Sequence, residues 1–347
     1  MSPYRYLSLL ILPAMVWGGY LAGGYWNYLT PLICFGVFPL IELLFPGKLQ
    51  YEETLPHKEN ENILFRIIPL LFTVLILATV ISTTYIVSRN PLKTFEWIGL
   101  MISVGILNGA IGFTLAHEFI HRFTFIEKSA GYLLLCCSNY LHYHTEHIYG
   151  HHVYACTQKD PHTARQGESF YKYLPRAIAR TWLNGWEIEM KRLHKRGITS
   201  IFRNKLLLFF LIHILICTAI VLFWGKMALL FFIGQSFISV TLLHQVNYLQ
   251  HYGLHREDTG SGKFEKMAAH HSWNIANPYS KFSLFQLTNH ADHHLHPAHS
   301  YEKLTVHPES PSHPANYACM MIVSLIPPLW FNITHKRISV HHLKHST

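Results

Sequence analysis

The sequence predicts an all-α integral membrane fold with a histidine-rich cap, and three observations carry that expectation. Only 14% of the 347 residues are charged while 50% fall in the hydrophobic set, against about 25% charged in an ordinary soluble chain. Apolar runs of membrane-spanning length recur where a soluble chain of this size would place polar linkers. Histidine is the third: 27 of them, against 19 acidic residues in total. These features argue against a soluble multidomain enzyme, a disordered chain and a secreted disulfide scaffold.

A transmembrane helix needs about 20 predominantly apolar residues. Six stretches qualify, at 6–23, 27–45, 63–87, 95–116, 205–224 and 227–249. The first follows Arg5 and has no small-residue cleavage site before a polar start, so it reads as a retained span rather than a signal peptide. Gly23 and Gly24 then form the turn of a helical hairpin with the second span, and Gly225 and Lys226 do the same between the last two. Pro13, Pro31, Pro39 and Pro69 lie inside spans and predict kinks that neighbouring helices must re-satisfy. Two shorter apolar stretches, 131–141 and 317–333, read as buried or interfacial helices, and Pro327-Pro328 argues against a straight span in the second. With no internal linker, residues 1–347 read as a single membrane-bound domain.

The net charge of +9 has its source between the spans. Segment 117–204 holds 12 Lys and Arg, and the tail after 249 holds eight more. The positive-inside rule therefore places both large polar segments, and both termini, on the cytoplasmic side of a bacterial-type inner membrane. No compact basic stripe interleaved with aromatics points to nucleic acid. Cys34, Cys136, Cys137, Cys156, Cys217 and Cys319 form no CxxC pair and read as free thiols, so the chain has no iron–sulfur centre of its own.

The chemistry lies in four histidine clusters. His117-Glu118-Phe119-Ile120-His121 ends the fourth span, and its two imidazoles at i and i+4 share one helical face. Glu146-His147-Ile148-Tyr149-Gly150-His151-His152 follows; an α-helical reading pairs His147 with His151 and turns His152 toward a second ion. Asn247-Tyr248-Leu249-Gln250-His251-Tyr252-Gly253-Leu254 ends the sixth span, and Asn289-His290-Ala291-Asp292-His293-His294 lies in the tail. Nine imidazoles on one membrane face are too many for one ion and suit two. The expected architecture is thus six transmembrane helices with a cytoplasmic histidine-rich di-metal cap. The absence of cysteine ligands disfavours soft-metal sites, while imidazole suits Fe, Cu, Zn and Ni. A two-metal imidazole site at a bilayer suits redox chemistry on an apolar substrate. Glu118, Glu146 and Asp292 are the candidates for fixing the tautomers of neighbouring ligands. The C-terminal His341, His342 and His345 read as a solvated tail.

The four motifs HEFIHR, EHIYGHH, NYLQHYGL and NHADHHLHP, with the intervening His270-His271-Ser272-Trp273-Asn274, resemble those of the membrane-bound non-haem di-iron alkane hydroxylases. The xylene monooxygenase hydroxylases are close relatives of that family, and membrane fatty-acid desaturases belong to the wider group. The resemblance spans about residues 5–333. It implies nine ligands to two iron ions: His117, His121, His147, His151, His152, His251, His290, His293 and His294. Gln250, His271 and Asn274 join the groups expected around them. It also implies O2 as co-substrate and hydroxylation of the terminal methyl of an apolar hydrocarbon, a medium-chain n-alkane first. Electrons would come from an external donor, either rubredoxin with an NAD(P)H-dependent reductase or a flavin/iron–sulfur reductase.

One departure bears on substrate. Gln250 stands where alkane hydroxylases carry Glu, and together with Ile326-Pro327-Pro328-Leu329-Trp330-Phe331 it is similar to the xylene branch. EHIYGHH and HHSWN are closer to the alkane branch. A xylene or toluene methyl monooxygenase, and a fatty-acyl desaturase or hydroxylase, are therefore the alternatives. An intramembrane zinc protease built on His117, Glu118 and His121 would leave the other clusters unexplained. A metal transporter would set its ligands near the midplane of the spans rather than at their ends.

Overall fold

The computed structural model describes residues 2–44, 62–260, 262–275 and 284–345, and among them helices dominate. Five of these helices are long and apolar enough to cross a membrane: α1 (Pro3–Ala22), α2 (Leu64–Arg89), α3 (Thr94–Ile120), α6 (Lys205–Trp224) and α7 (Lys226–His251). Between them come α4 (Phe125–Cys137) and α5 (Phe170–His194). The tail carries a two-stranded hairpin, β1 (Asp258–Gly260) with β2 (Lys263–Phe264), then α8 (His290–Leu295), α9 (Tyr317–Ser324) and α10 (Pro327–His345). The bent pair formed by α9 and α10, folded through 120° at their junction, makes a sixth apolar segment if counted as one broken span. Pro327 and Pro328 open α10, where a missing N–H costs nothing and the fixed φ starts a new helix.

The second expected span, 27–45, does not form one regular helix. The chain runs as 3-10 helix over Gly24–Tyr28, α over Leu29–Leu32, π over Ile33–Val37 and α over Phe38–Leu44; residue 45 lies outside the described residues. Pro31 and Pro39 bracket the π segment, and each removes a donor from the backbone ladder.

The chain divides into two compact units. The first comprises residues 1–36, 60–146 and 185–243, and the second 37–59, 147–184 and 244–347. In the first unit, Gly23 takes φ 70° and closes α1 as expected. Glu96 of α3 secures that turn, accepting from Gly24 N at 2.7 Å and Lys93 N at 3.0 Å. Leu208, Leu211, Leu215, Leu222 and Phe223 of α6 are exposed, as a lipid-facing helix requires.

Two features hold the first unit together in a dry medium. Gly105 and Gly109, one turn apart on α3, let α7 approach closely. A Cβ on Gly105 would lie 2.7 Å from Ile238 Cβ, and one on Gly109 would lie 3.1 Å from the Ser239 backbone. Small residues four apart are the usual means of such contact in membranes. Beside them, Asn108 donates to Ser138 Oγ at 3.0 Å and Gln235 Oε1 at 3.1 Å, while Gln235 donates to the Cys137 carbonyl at 2.7 Å. No water is available in a bilayer core, so these side-chain donors find their acceptors within the protein.

In the second unit, aromatic and backbone contacts set the end of α7. Tyr248 donates to the Glu168 carbonyl at 2.7 Å, Gly167 N donates to Tyr252 Oη at 2.8 Å, and the buried Trp273 donates to the Tyr252 carbonyl at 2.9 Å. Arg176 grips Glu168 through two parallel bonds of 2.7 and 2.8 Å and also reaches the carbonyls of Pro161 and Thr163. That fork fixes the loop 160–168, whose first residue matters below.

The close approach at Gly109 predicts that Gly109→Leu lowers stability by about 1–3 kcal/mol through overpacking. Thermal scans and size-exclusion profiles in detergent should show a lower midpoint and more aggregate than Gly109→Ala. Parent-like behaviour of the leucine variant would mean that α3 and α7 do not touch there.

Candidate metal centre

In the second unit, three segments far apart in sequence bring histidines to one place. His151 belongs to a short helical turn, His251 ends α7, and His290 and His294 lie one turn apart on α8. Each of the four offers a ring nitrogen within 4.8 Å of the others, and all are buried. Nε2 of His290 lies 3.0 Å from Nε2 of His251 and 3.0 Å from Nε2 of His294. In the same unit, His147, His152 and His293 form a second set: His152 Nε2 is 3.1 Å from Nε2 of both His147 and His293. The first unit carries His117 and His121 at the end of α3, with ring centroids 5.2 Å apart, so the expected i and i+4 pair forms.

Adjacent residues are split between the sets in both places. His293 and His294 diverge because consecutive side chains on an α-helix point about 100° apart. The same holds for His151 and His152, but here the local geometry differs from the α-helical expectation. His147–His151 is a π turn. A π turn closes i to i+5 rather than i to i+4. It brings His152 over His147 and sends His151 to the other set, reversing the pairing that α-periodicity suggests.

The outward faces of these imidazoles are fixed by hydrogen bonds. Nδ1 of His151 lies 3.0 Å from Oδ2 of Asp160. With that nitrogen donating, Nε2 is an acceptor, and it is buried with no hydrogen-bond partner among the described residues. Asp160 is itself completely buried and bonded by Thr163 Oγ1 and His162 N. Burial would raise its carboxyl, but the adjoining His151 ring and the hydrogen bonds from His151 and Thr163, with His162 beside them, outweigh this and hold it well below the usual carboxylate range. Nδ1 of His251 faces the carbonyl of His271 at 3.4 Å, which again leaves Nε2 as the acceptor toward the set. Burial first, and then the neighbouring imidazoles, pushes the His294 ring well below the ordinary histidine value, so it is neutral.

These donors fit a metal. Two inward nitrogens, those of His151 and His251, are committed as acceptors, and neutral imidazoles held 3.0 Å apart cannot all satisfy one another with protons. A divalent cation accepts every lone pair at once and removes the desolvation cost of the unmatched nitrogen.

The groups expected around the ligands are distributed differently from the sequence reading. Asp292 is bonded by Thr305 N at 2.9 Å, His296 Nδ1 at 2.9 Å and His307 Nε2 at 2.8 Å. It anchors a loop to α8 instead of orienting a ligand, because position 292 lies about 200° around the helix from His290. Glu118 pairs with Arg122 one turn on. Glu146 is completely buried immediately before the π turn. The Gln250 amide donates to Tyr317 Oη at 2.9 Å, so it is the His271 carbonyl that orients His251. The His271 ring instead meets Glu265 at 3.1 Å and is pushed down to about 4 by burial above all. Asn274 N donates to the Pro311 carbonyl at 2.8 Å and ties the tail to the loop below it. Sequence reasoning missed Asp160, whose signal was the Asp-Pro-His-Thr turn at 160–163.

Residues 94–319 match the fatty acid desaturase family. Alkane 1-monooxygenase 2 of Pseudomonas aeruginosa is 32% identical over 346 residues, which cover 97% of this chain and 91% of that protein. Alkane 1-monooxygenase 2 of Alcanivorax borkumensis is 32% identical over 356 residues, covering 99% and 92% respectively. The xylene/toluene monooxygenase hydroxylase component of Pseudomonas putida is similar at 23% over 337 residues, covering 97% and 89%.

If Asp160 sets the tautomer of His151, Asp160→Ala should weaken metal retention about 10–100-fold. Metal content per chain, followed during titration with a chelator, measures this directly. Retention equal to the parent would remove Asp160 from the centre.

Proposed function

The chain belongs to the fatty acid desaturase family and within it to the alkane 1-monooxygenases, and we propose that it hydroxylates the terminal methyl of a medium-chain n-alkane at a nine-histidine di-iron centre. It is an oxidoreductase of the monooxygenase class. The observation that carries the finer reading is the division of the imidazoles into two sets, with His151-His152 and His293-His294 each split between them. One ion would take His151, His251, His290 and His294. The other would take His147, His152 and His293; His117 and His121 make up the nine ligands that the family resemblance implies.

Iron bound by these ligands supplies the activation of O2. Per turnover the reaction consumes one O2, two electrons and two protons, converts a methyl to a primary alcohol and releases one water. The residues of this chain do the rest. Asp160 and the His271 carbonyl hold the imidazoles of His151 and His251 with Nε2 inward, so no reorientation is needed when an ion binds. Burial of the ligands keeps bulk water from the oxidising site. The electrons would come from an external donor, rubredoxin with its reductase or a flavin/iron–sulfur reductase, as the family resemblance implies. The excess of Lys and Arg in 117–204 and in the tail supports a cytoplasmic centre in an inner membrane.

The alkane reading is favoured over xylene by 32% against 23% identity to the respective relatives, while Gln250 keeps the xylene reading in view. Metal analysis of detergent-purified, untagged protein should find about two irons per chain. Turnover with O2 and a rubredoxin system should favour octane over xylene. His294→Ala should abolish turnover while the protein stays inserted in the membrane. About one zinc and no iron after iron-replete expression would overturn the di-iron reading.

A further inference from the structure

We propose that Asp292, His296 and His299 form a separate, solvent-facing site for a divalent transition-metal ion of the zinc class. Each offers one ligand atom, and the three atoms lie within 4.8 Å of one another. The two imidazoles stack with centroids 4.6 Å apart and planes 12° from parallel, which places His299 alongside the ring that meets the carboxylate.

The local backbone produces this arrangement. His296 N donates to the Asp292 carbonyl at 2.8 Å as α8 ends, and His299 N donates to the His296 carbonyl at 2.9 Å. The chain therefore turns back and returns His299 toward the helix. Asp292 is already held in place: Thr305 N reaches Oδ2 at 2.9 Å, and His307 Nε2 reaches Oδ1 at 2.8 Å. His296 Nδ1 is 2.9 Å from the same Oδ1. A carboxylate held by Thr305 and His307, with the His296 and His299 rings close by, repeats the carboxylate–histidine support typical of metal sites.

Two imidazoles and one carboxylate leave a coordination position for water, which is an open zinc-type set. Nitrogen donors disfavour calcium and magnesium. His296 and His299 are exposed, so the ion would exchange with solvent, in contrast to the buried sets. The group Glu265, His270 and His271 is a poorer candidate, because both ring nitrogens of His271 are already engaged, by Ala268 N and Glu265. A cation at Asp292 would clasp α8 to its following loop from the side opposite His290 and His294. The proposal does not rest on the hydroxylase reading, since it uses none of the nine proposed ligands.

The test is a zinc titration of the iron-loaded full chain in detergent, with bound zinc and iron counted per chain. His296→Ala/His299→Ala should bind about one zinc fewer than the parent and keep the parent's iron. His341→Ala/His342→Ala/His345→Ala, which clears the tail, should keep that zinc. Equal zinc binding by the parent and the His296/His299 variant would overturn the site, as would loss of all added zinc in the tail variant. Zinc-edge X-ray absorption on the tail variant gives an answer that needs no change at the site. Imidazole scattering with Zn–N near ~2.0–2.1 Å is expected; an all-oxygen shell would overturn the proposal.

Discussion

The structure of the second unit depends on the convergence of neutral imidazoles in a place without water. His151, His251 and His290 are almost wholly buried, and their ring nitrogens approach to about the distance of a hydrogen bond without enough protons to make one each. Left alone, such a cluster is unfavourable, because every unmatched nitrogen has lost its hydration. A bound metal would change the sign of that contribution, and the free energy of its binding would become part of the free energy of folding. The surrounding contacts make sense as ways to hold the unfavourable arrangement ready: the Arg176–Glu168 fork on the 160–168 loop, the Trp273 bond to the end of α7, and the Asp292 anchor of α8.

The first unit solves a different problem. Its helices are apolar nearly all round, so hydrophobicity alone selects no particular packing between them. Specificity comes instead from shape and from a few polar groups. Gly105 and Gly109 admit α7 at backbone distance, and the Asn108–Ser138–Gln235 group pairs only when α3, α4 and α7 are in register. The π turn over Asn108–Gly112 lies at this contact, and a π turn widens the helix locally. Departures from α geometry thus occur at the packing junction of one unit and at the ligand turn of the other.

Much of this was legible in the sequence, and the failures have physical causes. The His290 and His294 pair was readable because α8 is a regular α-helix. The same periodicity puts Asp292 on the opposite side, so its role as an anchor was equally available. His147 and His152 were not readable as partners, since a π turn leaves no mark in hydrophobic periodicity. Asp160 acts from a loop nine residues after His151, where only its turn-forming tendency gives a signal. The support for His251 was invisible for a different reason: it is a backbone carbonyl, and every residue has one. The span expected at 27–45 was assigned by composition, which does not register how Pro31 and Pro39 break the ladder.

Charge ties the two readings of Gln250 to the chemistry. Neutral imidazoles cancel none of the positive charge of a bound cation, and a bound ion is the largest charge in such a site. In the second unit the buried Asp160 carboxylate, bonded to a ligand, is placed to offset part of it. Asp292 shares its charge with His296 and His307 and faces away. A glutamate at 250 would add a further negative charge next to His251; the amide that stands there donates to Tyr317 and adds none. Less compensation favours the lower-charged, reduced state of the metals. On the proposed reading, Gln250 would bear first on how readily a metal held by His251 accepts electrons, before it bears on substrate.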